Sequence, residues 1–188
     1  MKFKEQLFQL FEVSDDQADL IISRFIPEHL EKNQSFLEEG KTCNRLSFIE
    51  SGIFRIFKLT ESKEVTQWIG SDGYFITDLA SFFFNFPSNW GIEALTDAKI
   101  WTLQKSEYLK IQEQIPNWNV LEKRFIAKCF MQVEHRVFDF IALTAEERYI
   151  KYFETNKKLF NQVPLQYIAS VLGMSPETLS RIRNKLSS

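Results

Sequence analysis

The stretch QVPLQYIASVLGMSPETLSRIRNKL, residues 162–186, has the most informative spacing in this chain of 188 residues. Pro164 is placed to open a helix, and Gly173 to end it in the left-handed conformation that favours glycine. Ser175 then suits an N-cap, and Pro176 suits the first position of the next helix. The pattern predicts two short helices joined by a tight turn.

These helices have the spacing of a helix-turn-helix. The small residue Ala169 lies where the helices would cross, and Leu179, Ile182 and Leu186 would return an apolar face to the first helix. The outer face of the second helix carries side chains that can bond to phosphates or base edges. An ordinary helical hairpin with a solvated charged face is the alternative. The predicted DNA-binding residues are Ser175, Glu177, Thr178, Ser180, Arg181, Asn184 and Lys185, with Arg183 further round the helix.

Charge is distributed unevenly along the chain. Residues 142–188 hold 7 Lys/Arg against 4 Asp/Glu, whereas residues 1–141 hold 16 against 21. Apolar residues make up 44% of the chain and charged residues 26%, which is typical of a soluble globular protein. A basic tail on an acidic body indicates two parts with different partners.

The middle of the chain, from about Ile26 to Leu103, has a sequence pattern typical of a β-domain. Short segments rich in Phe, Ile, Val, Thr and Trp alternate with turn signals such as Ser51-Gly52 and Ser71-Asp72-Gly73. This rhythm favours a sandwich or barrel over a parallel sheet. The predicted strands are Leu46–Glu50, Ile53–Leu59, Val65–Ile69, Ile92–Leu95 and Lys99–Leu103.

Helices are predicted on both sides of this β-domain. Residues 3–24 fit one or two helices, with Ser14 and Gln17 as a capping box. After a helix over 105–115, Pro116 is predicted at the N1 position of a long helix that reaches about Leu143. Its apolar stripe fits either a core helix or a helix shared with a second subunit. Thr144 is predicted to cap the next helix, which fades near 155–158, and two more helices are expected.

Several protein classes are excluded by the sequence. The N-terminal residues are amphipathic and carry acidic groups, so we expect no signal peptide, and no apolar run is long enough to span a bilayer. Cys43 and Cys129 are too few for an iron–sulfur site or a disulfide framework, and we expect both to be structural. His29 and His135 lack the neighbours of a cupin metal site, so we expect no metal and two surface histidines. No enzyme motif was found, and an enzyme is not expected.

The order of elements resembles the catabolite-activator and FNR (CRP/FNR) family of transcription regulators. The segment LSFIESGIFR, residues 46–55, is similar to that family's first barrel turns and includes Gly52 and Arg55. GYFITDLASFF, residues 73–83, is similar to the family segment that cradles a cyclic nucleotide phosphate. GIEALTDAKIW, residues 91–101, is similar to the strand pair that follows it.

The resemblance implies an α+β fold with three parts. Residues 1–115 would form a cyclic-nucleotide-binding-like jelly-roll sensor domain, 116–143 a long dimerisation helix, and 144–188 a helix-turn-helix DNA-binding domain. The implied function is transcription regulation in the cytoplasm. The implied partners are double-stranded DNA, a second copy of the chain through the 116–143 helix, and RNA polymerase, with no membrane. By this carry-over, Glu177 and Arg181 would read base edges, and Thr178 and Ser180 would bond phosphate.

The phosphate segment departs from the family pattern. Thr77 replaces a glycine, Asp78 replaces the usual glutamate, and Ser88 falls where the family has its phosphate-binding arginine. No Lys or Arg occurs between Lys63 and Lys99, and a buried phosphate needs a positive partner. We therefore expect neither cyclic AMP nor cyclic GMP, and the sequence identifies no other effector. The residues that would line a ligand pocket are Thr77, Asp78, Leu79, Ser88 and Asn89, with a capping or turn role as the alternative for Asp78.

Two further expectations complete the sequence analysis. Trp68, Tyr74, Phe75, Phe82–Phe84, Phe86 and Trp90 are expected mainly in the core, with an apolar ligand pocket as the alternative. The chain ends two residues after Leu186, where the family usually adds a β-hairpin wing. A ligand-sensing or protein-interaction module that has lost DNA binding is therefore the alternative function.

Overall fold

The computed structural model describes the backbone of residues 2–187 and the side chains of residues 2–186. Two helices open the chain, α1 (Lys2–Phe11) and α2 (Asp15–Ile22). The predicted capping box is confirmed: the Ser14 hydroxyl accepts from the Gln17 backbone N–H, and the Gln17 side chain accepts from the Ser14 N–H. These reciprocal bonds satisfy two donors that the helix itself leaves open.

The central β-domain is a sandwich of antiparallel strands. The described residues form two four-stranded sheets, in the orders β1-β8-β3-β6 and β2-β7-β4-β5. The five predicted strands are confirmed as β3, β4, β5, β7 and β8, with ends shifted by one residue or so. The strand bounds are β1 (Ile26–Leu30), β2 (Ser35–Leu37), β3 (Arg45–Ser51), β4 (Phe54–Leu59), β5 (Glu64–Gly70), β6 (Phe75–Ile76), β7 (Gly91–Ala94) and β8 (Ala98–Gln104).

Two apolar clusters stabilise this part of the chain. One fills the sandwich between the sheets and includes Phe36, Ile49 and Phe54. The other joins the outer face of the first sheet to the N-terminal helices, where the rings of Phe3 and Phe48 stack with centroids 4.3 Å apart. Burying a side chain of this size contributes about 1.5–3 kcal/mol, so the N-terminal helices are integral to the fold.

The aromatic residues 68–90 are only partly in the core. Phe82 is fully buried and Phe75 packs against the outer cluster, as predicted. Phe84 and Phe86 are 67% and 59% exposed, and Tyr74 is 40% exposed, so the core prediction was wrong for these three. The backbone explains why Phe84 and Phe86 are exposed. They flank Asn85, which follows the short helix α3 (Leu79–Phe84) and has a left-handed conformation with φ of 60°.

The helix boundaries around Pro116 differ from the prediction. α4 spans Lys105–Gln114, but α5 spans Trp118–Ala142. Pro116 is therefore not an N1 residue, because Asn117 lies between it and the helix with φ of 62°. The Asn117 carbonyl accepts from the Val120 N–H (2.9 Å) and so begins the helix two residues later than expected.

Residues 145–187 form helices that are joined by short turns. α6 (Ala145–Asn156) begins at Thr144, whose predicted cap is confirmed as a capping box with Glu147. Three helices follow among the described residues, not the predicted two, because a four-residue helix, α7 (Leu159–Gln162), precedes α8 (Leu165–Val171) and α9 (Pro176–Ser187). So short a segment carries no periodicity by which sequence could identify it.

The contacts divide the chain into two compact units. One comprises residues 1–56 and 69–130, and the other residues 57–68 and 131–188. The hairpin formed by β4 and β5 therefore contributes its outer part to the helical C-terminal unit. Among the helices of residues 2–187, none combines the length and apolar character needed to cross a bilayer.

Candidate nucleic-acid interface

The helices α8 and α9 pack on each other through apolar residues at the predicted positions. Ile168, Ala169 and Leu179 are fully buried, and Ile182 is 7% exposed. Leu186 is 46% exposed, so the prediction that it belongs to this buried face was wrong. It lies in the last turn of α9. We call the two helices and their turn, residues 165–187, the α8–α9 unit.

Gly173 makes the turn between the two helices possible. Its φ is +64°, and its N–H donates to the Ser170 carbonyl, while the Met174 N–H donates to the Ala169 carbonyl (both 3.0 Å). A Cβ at this position would lie 2.4 Å from a ring carbon of Phe140 in α5. The turn therefore needs glycine both for its backbone conformation and for the close approach of Phe140.

Two arginines satisfy carbonyls at the C-terminal end of α8. The Arg136 guanidinium donates to the Val171 carbonyl (3.0 Å), and that of Arg148 donates to the Leu172 carbonyl (3.1 Å). These carbonyls have no partner within the helix, and a cation at a helix C-terminus also matches the helix dipole. Burial lowers the pKa of the Arg136 guanidinium. The sequence analysis missed both residues, which lie more than 20 positions from their acceptors.

The N-terminal end of α9 has the predicted cap. The Ser175 hydroxyl accepts from the Thr178 N–H (3.2 Å), and Pro176 is the first residue of the helix. Two hydrogen bonds lower the pKa of the Glu177 carboxyl group, one from the Ser175 side chain and one from the Glu177 backbone N–H. The Glu177 carboxylate is therefore ionised at neutral pH and can only accept hydrogen bonds, as an acceptor for a cytosine amino group must.

The outer face of α9 is open to solvent and polar. Of the seven predicted residues, Thr178 is half-buried by its neighbours in the first turn, and the others are exposed. One continuous shallow surface is lined by Pro176, Glu177, Ser180, Arg181 and Asn184. The structure thus brings four of the predicted DNA-binding residues together on one surface of one helix.

Lys185 has an intramolecular partner. Its ammonium group bonds both carboxylate oxygens of Glu146 in the first turn of α6, at 3.0 and 2.7 Å. Both side chains are partly exposed, so this ion pair stabilises the fold little. A phosphate that contacts Lys185 would have to compete with Glu146.

The second predicted site, around Asp78, lies in the β-domain. The short helix α3 (Leu79–Phe84) begins at Asp78, whose carboxylate accepts from the N–H groups of Ala80 (3.0 Å) and Ser81 (3.2 Å). Its other oxygen accepts from the Ser88 hydroxyl (2.7 Å). The capping alternative for Asp78 is therefore the one the structure supports.

The single donor of the Ser88 hydroxyl is already engaged within the protein. Ser88 is 3% exposed, and besides its bond to Asp78 its hydroxyl accepts from the Trp90 N–H (3.0 Å) and lies 2.9 Å from the Trp90 carbonyl. The Thr77 hydroxyl donates to the Arg45 carbonyl (2.9 Å). Leu79 packs against the outer apolar cluster, and Asn89 is exposed. The polar side chains of Thr77, Asp78 and Ser88 therefore bond to the protein itself.

A buried ion pair lies in the second sheet. Arg55 of β4 is 4% exposed, and its Nε donates to a carboxylate oxygen of Glu93 in β7 at 2.6 Å. The alternation along each strand places this pair opposite Phe54 and Ile92, which face the sandwich core. Arg55 was singled out from the sequence only as part of the family resemblance, and no local signal pointed to Glu93. This buried cation is already matched by a carboxylate.

The remaining candidate residues are placed as predicted. Cys43 is buried and Cys129 is half-buried, and burial raises the pKa of the Cys129 thiol, which keeps it protonated. His29 and His135 are both exposed. Within residues 2–186, no group of three or more His, Cys, Asp or Glu side chains is arranged to hold a metal ion.

Residues 27–114 match the family model of the cyclic nucleotide-binding domain. No curated protein matches the sequence. Among solved structures, FixK2 from Bradyrhizobium japonicum is similar, with a TM-score of 0.72 and 16% identity over 87% of this chain and 84% of that one. The catabolite activator protein of Thermus thermophilus has a TM-score of 0.61 and 19% identity, over 97% of this chain and 86% of that one.

The cAMP-bound structure of PfPKA-R is similar to part of this chain. Its TM-score is 0.54 with 23% identity, and the match covers 58% of this chain and 40% of that chain. Taken together, the comparisons establish the fold. It is a sandwich of the cyclic nucleotide-binding type followed by helices, with structural neighbours in the CRP/FNR regulator family.

Proposed function

We propose that this chain is a transcription regulator, and not an enzyme, that binds specific DNA sequences as a homodimer. The observation that carries the proposal is the polar, exposed face of α9, on which Glu177, Ser180, Arg181 and Asn184 share one surface. In a helix-turn-helix this helix enters the major groove, where arginine pairs with guanine and carboxylates accept from cytosine. The α8–α9 unit would then be the DNA-binding element.

The homodimer part of the proposal is supported by α5. From Phe130 onwards this helix exposes apolar side chains at intervals of three to four residues: Phe130, Val133, Val137 and Ile141 are 60%, 55%, 52% and 79% exposed. Such a stripe fits a left-handed pairing of two helices. Two α9 helices would then contact half-sites about 34 Å apart on a pseudo-palindromic site.

The dimer can be tested by sedimentation. Val137→Asp places a charge in the stripe and is expected to convert a dimer into a monomer at micromolar concentration. Gln132→Asp places the same charge on a different side of α5 and is the matched control. A monomeric wild-type chain, or a Val137→Asp variant that sediments like the wild type, would contradict the proposal.

We also propose that the sandwich binds neither cyclic AMP nor cyclic GMP at residues 77–90. The support is the carboxylate of Asp78, which already takes the two backbone donors and the Ser88 hydroxyl in that segment. A phosphate placed there would meet a negative charge instead of a cation. Unchanged melting temperature in millimolar cyclic nucleotide is the expected result, because a ligand that binds the folded state raises it.

The central experiment is a selection of random duplex DNA on the purified chain at two salt concentrations. A DNA-binding regulator should enrich a two-fold symmetric site, and its affinity should fall steeply as salt rises because phosphate contacts release counterions. If no sequence is enriched, the regulator proposal is wrong. A ligand-sensing or interaction module would then be the better description.

A further inference from the structure

β5 is an edge strand, and one of its residues has an unusual partner. The strand lies at the end of the order β2-β7-β4-β5, so no strand formed by residues 2–187 pairs with the backbone groups on its other side. The Thr66 N–H nevertheless donates to the Ser170 hydroxyl oxygen (2.9 Å), and the Ser170 hydroxyl donates to the Thr66 carbonyl (3.0 Å). One side chain of α8 thus completes both backbone bonds of this edge residue.

This contact is well protected. Thr66 is 1% exposed, and Ser170 lies between Ala169 and Val171, which are 0% and 5% exposed. A serine within a helix commonly bonds a carbonyl of its own preceding turn, but here the hydroxyl bonds another element. Because the two backbone groups are buried, loss of the hydroxyl would leave both without this partner, which costs more than the bond alone is worth.

A second contact ties the same hairpin to the same end of α8. The Arg136 guanidinium lies 5.4 Å from the ring centroid of Trp68, two residues along β5, and also donates to the Val171 carbonyl. Two consecutive residues of α8 are therefore linked to β5: Ser170 bonds Thr66 directly, and Val171 is linked to Trp68 through Arg136. The compact C-terminal unit accordingly includes the hairpin segment 57–68.

We propose that Ser170 is a positioning residue for DNA recognition, because it fixes α8 to the hairpin and thereby sets the orientation of α9. The inference rests on the proposed DNA-binding function. The turn that begins at Gly173 follows Ser170 by three residues, so a shift of α8 against the hairpin would move the exposed face of α9. The hairpin would then be as much a part of the DNA-binding element as the two helices are.

The test uses the full-length chain and two matched variants. The two variants are Ser170→Thr and Ser170→Val. The threonine and valine side chains have nearly the same shape, but only threonine has a hydroxyl group. Thr66→Val is a second control, because it keeps the backbone N–H and carbonyl that Ser170 contacts. Affinity is measured for the enriched duplex and for a random duplex, and hydrogen exchange is measured at the Thr66 amide.

The threonine variant is expected to resemble the wild type. The valine variant should exchange the Thr66 amide roughly five-fold faster or more, as expected for a lost hydrogen bond of about 1 kcal/mol. Its affinity for the enriched duplex should fall by a similar factor, with the random duplex unaffected, because misplaced base contacts leave phosphate contacts largely intact. Thr66→Val should change neither quantity.

Two results would overturn the inference, and they are distinguishable from each other. If the valine variant exchanges Thr66 faster but keeps the full specific affinity, Ser170 is structural only. If the wild-type chain enriches no duplex, the proposed function itself fails, whatever the exchange at Thr66 shows. Should both Ser170 variants unfold, Ser170→Ala removes the hydroxyl without adding volume and is measured in the same way.

Discussion

Residues 77–90 and helix α9 are both rich in polar side chains, but they use them in opposite ways. In the first region the Asp78 carboxylate and the Ser88 hydroxyl bond to each other and to nearby backbone groups. In the second, Arg181 and Asn184 stand exposed on one surface. The first arrangement stabilises a loop and a short helix, whereas the second presents polar side chains to solvent.

The contrast shows how two polar segments that resemble binding sites in sequence can differ in structure. Residues 77–90 match a ligand-binding pattern by position, yet a carboxylate lies where a phosphate would need positive charge. Helix α9 buries Leu179 and Ile182 as its pattern predicts, and it exposes Glu177, Ser180, Arg181 and Asn184. The exposure of Leu186 is its one departure from the predicted buried face.

The largest expected effect is on the turn that presents α9. Gly173→Ala should destabilise the fold by about 2–5 kcal/mol, because a left-handed alanine costs about 1–2 kcal/mol and the contact with Phe140 adds about 1–3 kcal/mol. Gly40→Ala is the matched control, since its φ is +84° with no atom near the added Cβ. Urea unfolding of both variants separates the two costs. Equal destabilisation would show that Phe140 yields without cost.

The next effect tests whether the open face of α9 reads bases. Arg181→Ala should weaken binding to the enriched duplex by roughly 1–3 kcal/mol and relax the preference at one base position. Lys32→Ala removes the same charge from an exposed position of the β-domain and should leave affinity unchanged. Fluorescence anisotropy on a set of single-base variants of the site gives both results. Uniform weakening on every sequence would assign Arg181 to phosphate.

A smaller effect tests whether the bonds of Asp78 serve the fold alone. Asp78→Ala removes the cap of α3 and should lower the free energy of unfolding by about 0.5–2 kcal/mol. Asn89→Ala changes an exposed residue of the same segment and should be neutral. Thermal unfolding of both variants, with and without cyclic AMP, is the measurement. Stabilisation of the wild type by cyclic AMP that Asp78→Ala abolishes would assign the carboxylate to ligand binding instead.

The smallest effect concerns pH and Glu177. Its pKa is lowered in the folded state, so its ionised form stabilises the fold above the unfolded pKa, near 4.3, and this contribution is lost as pH falls through the folded pKa. The wild type should therefore melt slightly above Glu177→Gln at pH 7, and the difference should vanish well below pH 4. A difference that grows as pH falls would contradict the assigned hydrogen bonds.

Most of the fold could be predicted from local patterns. The capping box at Ser14, the cap at Thr144 and the turn at Gly173 each depend on residues within a few positions of one another, and all three are confirmed. The strands β3–β5, β7 and β8 were predicted from short segments rich in Phe, Ile, Val, Thr and Trp that lie between turn signals. The errors arose where the chain left these patterns, as at Pro116, where a left-handed Asn117 delays the helix start.

The site was harder to predict because its decisive contacts are distant in sequence. The polar face of α9 could be identified from spacing alone. The ion pair of Arg55 with Glu93 and the carbonyl bond of Arg136 join residues that are 38 and 35 positions apart. No local signal marks either pair. A polar residue at an interior helix position, such as Ser170, was the one available hint that another element contacts α8.

The contact between Thr66 and Ser170 also affects the order in which a newly made chain can fold. Its two residues are 104 positions apart, so at about 5–20 residues per second a ribosome needs roughly 5–20 s between them. Throughout that interval the Thr66 N–H and carbonyl have no Ser170 hydroxyl to bond. An edge strand in that state can pair with another chain. Slow or interrupted translation should therefore lead to aggregation through β5. Chains that have been synthesised beyond Ser170 should aggregate less.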